Sequence, residues 1–113
     1  MTEQTVVNEV TVAPSVLLTV VQHTVLSVAG VAGLATIPGG VNRFLRMGVA
    51  DGVWLHIQDH TIRVDVHIVL AGDADGSSVA QAIQVQVAQV LHDIVGLTVI
   101  AVNVIITDVA FAV

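Results

Sequence analysis

The chain contains no cysteine and no lysine. The absence of cysteine excludes disulfides, thiolate nucleophiles and thiolate metal sites, and leaves the redox compartment without a marker. Basic charge is nearly absent. Three arginines stand against nine aspartates and glutamates, for a net charge of -6. A nucleic-acid partner requires a basic footprint, and none exists here. A direct polybasic contact with anionic lipid is not expected, on the same ground. Charge of either sign is scarce, at 11% of 113 residues, and aromatic residues make up 3%. Typical soluble domains carry about 25% charged residues.

The composition is correspondingly apolar, at 55%. A chain of this length forms one domain over residues 1–113. It cannot hide every apolar side chain in its own core, because small domains have much surface for their volume. Part of the excess is therefore expected at an interface. The competing explanation is a bias toward short Val and Ala residues. Residues 14–34 are long and apolar enough to raise a membrane span. Gln22, His23 and Thr24 interrupt them, Gly30 and Gly33 follow, and a core helix explains the segment. The N-terminus carries Glu3 and Glu9 and no basic residue, which does not fit a signal peptide.

Residues 52–59 and 61–70 each alternate apolar and polar side chains, the mark of strands with one buried face. With Asp59 and His60 as a two-residue turn, Ile57 faces Ile62, Leu55 faces Val64 and Val53 faces Val66. A slip of one residue would turn one apolar set outward, so the pattern fixes the register. Leu55, Ile57, Ile62, Val64, Val66 and Ile68 should face the helices. Trp54, His56 and Arg63 should face away.

Before the hairpin, residues 5–12 are a short strand candidate. Pro14 suits the first turn of a helix running to about Ala29, with Gly30 as its stop. Leu17, Val21, Val25 and Val28 lie on its inner face. Residues 31–35 suit a short strand. Residues 36–50 have turn chemistry at Ile37-Pro-Gly-Gly40 and a small patch of Arg43, Phe44, Arg46 and Met47, read as a solvated loop or a docking loop. After the hairpin, residues 72–76 form a loop. Ser78 and Gln81 have capping-box spacing. A second helix buries Val79, Ile83, Val87, Val90, Leu91 and Ile94 and stops at Gly96. Residues 97–109 form a long strand. Ile100, Val102, Val104 and Ile106 should point inward, and Val99, Ala101, Asn103, Ile105 and Thr107 outward.

Chemistry-bearing motifs are weak. His56 pairs with Arg63 in this register and His67 lies four residues further along, roughly 13 Å away at ~3.3 Å per residue. The two cannot share one ion. Asp73-Ala-Asp75-Gly76 has the letters of a calcium loop, but Gln84 stands where a bidentate Glu is needed. Loop and helix-cap acids account for it better. Gly30-Val-Ala-Gly33 matches a nucleic-acid-clamping GXXG loop without basic neighbours. No nucleophile elbow and no phosphate-cradling loop occurs. No catalytic, cofactor or metal residue is assigned, and no cofactor is expected.

The ordered series of segments nevertheless resembles the alkaline shock protein family of bacterial envelope-stress proteins. Val12-Ala-Pro14 opens a Val-rich helix, and Val28-Ala-Gly-Val-Ala-Gly-Leu34 closes it. Gly52-Val-Trp-Leu55, Ile62-Arg-Val-Asp-Val-His-Ile-Val69 and Val95-Gly-Leu-Thr-Val-Ile-Ala-Val-Asn-Val104 follow, covering residues 5–109. The resemblance implies a cytoplasmic, self-associating α/β domain beneath the membrane, held there by a separate small membrane-anchor protein. It implies no catalytic residues. The chain departs from the family in its lack of lysine and its sparse charge.

These readings converge on an α/β (α+β) domain, a mostly antiparallel sheet with two helices packed on one face. The expected role is a non-enzymatic, self-assembling scaffold, an oligomer or filament with no direct membrane span. Trp54, Val69, Val99 and Ile105 are its expected contacts, with Arg43, Phe44 and Arg46 as a second patch. The rivals are a small-ligand or metal-binding module using the outer-face histidines, and a membrane-inserted protein using residues 14–34.

Overall fold

A computed structural model describes residues 12–35, 49–50 (backbone only) and 52–111. Helix α1 spans Pro14–Leu26, β1 Val31–Leu34, β2 Val49–Ala50, β3 Val53–Gln58, β4 Thr61–Ala71, α2 Gly76–Val95 and β5 Thr98–Ala110. The expected Arg43, Phe44 and Arg46 patch lies outside the described residues. So do residues 5–11 of the first strand candidate, and Val12 packs against the core without being in a strand.

The hairpin forms in the expected register. Val53 pairs with Val66, Leu55 with Val64 and Ile57 with Ile62, and Asp59 takes a positive φ of 56° at the turn. Val53, Leu55, Ile62, Val64, Val66, Ile68 and Leu70 are buried. Ile57, expected to face the helices, stands at the turn end of β3 outside the core cluster and is 40% exposed.

Helix α1 buries Leu17, Leu18, Val21 and Val25 against this face. Its hydroxyls bond back to its own backbone: Thr19 Oγ1 donates to Ser15 O, and Thr24 Oγ1 to Val20 O. Such back-bonding satisfies polar side chains on an apolar helix. The helix ends at Leu26, three residues before the expected Ala29. The chain then turns, which tucks Val28 into the core, and reaches Gly30 at φ 99°. A Cβ on Gly30 would lie 2.5 Å from Val79 Cγ2, so the α1–β1 turn closes directly on the start of α2.

Helix α2 buries Val79, Ile83, Val87 and Leu91, four residues apart and on one stripe. Asp75, not Ser78, caps it. Its Oδ1 accepts from Ser77 N–H at 3.1 Å, and its Oδ2 accepts from Ser78 Oγ at 3.0 Å. The carboxylate reaches one orphan amide, that of Ser77, from three residues earlier than the capping-box spacing suggested. Val90 is only partly buried, and Ile94 is 43% exposed because the stripe rotates off the sheet near Gly96.

The sheet contains three antiparallel pairings, β1–β4, β2–β3 and β3–β4, and one parallel pairing, β4–β5. The unit β4–α2–β5 is thus a βαβ crossover, in which the helix returns the chain to start a parallel strand. Strand β5 runs along one edge of β4 from Thr61 to Ala71, so β3 and β1 share the other edge, end to end. His67 marks the junction. Its N–H donates to Gly52 O at 2.7 Å, and its carbonyl accepts from Ala35 N–H at 2.9 Å. Gly52 has φ 75°, and a Cβ there would sit 2.7 Å from Leu34 Cβ. Only a residue without a side chain lets the two strand ends meet this closely.

Strand β5 corrects the simple alternation expected for residues 97–109. Its register slips at Ile100 and again at Thr107. Each bulge resets which side chains face the helices. Val99 therefore pairs with Ile62 and packs against the core, rather than facing away. Ile100, expected inward, is 61% exposed. Between the bulges the expected phase holds, and Val102 and Val104 pack inward. Ile106 pairs with Ile68 and its Cδ1 approaches Gly76, although it remains 40% exposed at the sheet end.

Candidate interaction surface

Both helices share one core with the inward face of the sheet. The opposite face carries Trp54 and His56 from β3, Arg63, Asp65, His67 and Val69 from β4, and Ala101, Asn103 and Ile105 from β5. The register aligns Trp54, Asp65 and Asn103 in one row across three strands. His56, Arg63 and Ala101 form the next row.

Three polar side chains of this face, His56, Asp65 and Asn103, are bonded together. Asp65 Oδ2 lies 3.1 Å from His56 Nε2, and Asp65 Oδ1 accepts from Asn103 Nδ2 at 2.8 Å. The Trp54 and His56 rings stack at 4.6 Å between centroids. Each oxygen of the central carboxylate thereby has one partner. His67 lies on the same face opposite Ile105, and its Nδ1 is buried with no hydrogen-bond partner among the described residues. Among those residues, no three His, Asp or Glu side chains gather where a metal ion could be held.

The expected contact residues divide. Trp54 is half-buried, Val69 half-buried and Ile105 36% exposed, all on the open face. Val99 is not on it. The sequence pattern placed His56 and Asp65 on one face but did not pair them. The available signal was the hairpin register, which sets Trp54 opposite Asp65 and brings His56 within a diagonal step of it.

Comparison with known proteins adds a setting. A model of the alkaline shock protein 23 family, described by a cell envelope-related function, matches residues 2–111. The chain belongs to that family. No curated protein and no solved structure matches it. Membership in the alkaline shock protein 23 family carries a cell envelope-related function to the whole molecule and assigns no role to any one residue. No helix among the described residues is long and apolar enough to cross a membrane. Residues 14–34, the candidate span, instead divide into α1, a turn and β1.

Proposed function

We propose that this family member is a non-enzymatic, self-assembling scaffold, held at the cytoplasmic face of the membrane by a separate small anchor protein. The observation that carries the reading is the open sheet face. It combines Trp54, Val69 and Ile105 with a His56–Asp65–Asn103 cluster in which Asp65 already has its partners, so that carboxylate can be covered without being stranded. Apolar side chains grouped on an uncovered face mark interfaces. Self-repulsion is small, because 11% of residues are charged.

The test is light scattering coupled to size exclusion, with negative-stain microscopy. The wild type should form oligomers or filaments, and Trp54→Asp combined with Ile105→Asp should reduce them to smaller species. A monodisperse wild-type monomer at high micromolar concentration overturns the reading. For the anchor, the purified protein should stay at the bottom in flotation with anionic vesicles. Flotation without any second protein would remove the need for one.

A further inference from the structure

We infer that β5 is a docking edge for a second copy of this chain, joining antiparallel to the β5 of its mate about a two-fold axis near Val104. The inference rests on the self-assembly reading and names one contact through which it proceeds.

Strand β4 sets the direction of the backbone groups at this edge. His67 and Ala71 turn their peptide groups toward the β1 and β3 edge, where they bond Gly52, Ala35 and Gly30. Alternation turns Val64, Val66 and Ile68 toward β5, and Thr107 Oγ1 reaches Ile68 O on that side. In a parallel ladder, the residue opposite an inward-turned one presents its own peptide group outward. Val102 and Val104 stand opposite Val64 and Val66, so their N–H and C=O groups point away from the sheet. The side-chain contacts agree: Val102 O accepts from Gln84 Nε2 at 3.2 Å, beyond the sheet edge. No strand among the described residues pairs with this edge. Between the bulges at Ile100 and Thr107 the register is regular, which gives an uninterrupted template.

The occupant follows from charge and symmetry. Residues 76–91 of α2 and 98–107 of β5 contain no acidic or basic side chain, in a chain of net charge -6. Gln84 and Ala88 of α2 border the groove beside residues 99–103. A basic or acidic partner finds no complement on this flank. A second copy, which carries the same net negative charge, meets no like charge here. Antiparallel pairing of a strand with itself is also self-complementary, as a two-fold interface requires. With Val104 on the axis, it exchanges both hydrogen bonds with Val104 of the second copy. Val102 then faces Ile106 of that copy, whose N–H replaces the Gln84 amide on Val102 O. Asn103 comes opposite Ile105 of that copy on the outer face. This closed dimer leaves the outer sheet face of each copy uncovered, and a second contact through those faces extends dimers into larger assemblies.

The absence of native cysteine makes the test clean. In Asn103→Cys with Ile105→Cys, cross-strand Cα atoms at non-hydrogen-bonded positions lie about 4.5 Å apart, within disulfide range. Mild oxidation should give a covalent dimer that reductant dissolves, with Cys-to-Cys linkage of 103 to 105 by peptide mapping. Independently, Val104→Pro removes an outward N–H and none that bonds β4. It should weaken dimerisation about tenfold or more in a light-scattering dilution series. If Val104→Pro fails to fold, the cross-link decides alone. A wild type that assembles while the paired cysteines stay unlinked overturns the edge contact and leaves the scaffold reading standing. A cross-link that forms only after residues 1–11 are removed overturns it too, since the chain's own segment then holds the edge. A strictly monomeric wild type overturns both.

Discussion

Asp65 holds the outer face together. Its carboxylate bonds a neighbouring strand on each side, through His56 on β3 and Asn103 on β5. Asp65→Ala should remove both bonds and leave the His56 ring and the Asn103 amide without their partner. We expect a loss of about 1–2 kcal/mol in urea unfolding, with the helical content unchanged. A wild-type midpoint in that variant would show that water replaces the carboxylate at no cost. Alternation in the sequence is enough to place Trp54, His56, Arg63 and Asp65 on one face. It is not enough to pair Asp65 with Asn103. That pairing depends on the β4–β5 register, which the bulges at Ile100 and Thr107 reset. A period of two carries no record of an inserted residue, and the same gap explains why Val99 reads as outward and packs inward.

At the level of elements, the hairpin and the helix faces are legible because each has a strict period tied to burial. Leu17, Val21, Val25 and Val28 of the first segment, and Val79, Ile83, Val87 and Leu91 of the second, are all buried. The direction of β5 had a signal too. A strand, a helix and a strand in succession form a crossover unit, which makes the two strands parallel. The end-to-end arrangement of β1 and β3 had none, because it depends on the close approach of Gly52 to Leu34 and His67. That junction is open to test. Gly52→Ala places a Cβ 2.7 Å from Leu34 Cβ and 3.1 Å from His67 O, at a φ of 75°. Left-handed strain and overpacking together should cost about 2–4 kcal/mol. For a domain of this size each kcal/mol lowers Tm by roughly 4–8 °C. Thermal unfolding by circular dichroism reads the effect, and an unchanged Tm would mean that β1 moves away from β3 freely.

At the scale of the whole molecule, sparse charge and an open sheet face carrying Trp54, Val69 and Ile105 make a prediction about what drives association. If Trp54, Val69, Ile105 and the β5 flank carry the contacts, burial of apolar surface contributes most, with backbone bonds added at the edge. Burial of this kind weakens on cooling and is little affected by ordinary screening. Contacts between charged groups behave in the opposite way. Raising salt to about 0.5 M shortens the screening length to a few ångströms and dissolves them. Assemblies of this chain should therefore persist or grow in about 0.5 M sodium chloride and shrink toward smaller species near 4 °C, as followed by light scattering at fixed protein concentration. The net charge of -6 adds to the expected sign, because screening removes the residual repulsion between copies. Dissolution by salt would instead transfer the contact to the few charged residues. Arg43 and Arg46 would then be the first positions to replace, since they are two of only three basic residues available to meet an acidic copy.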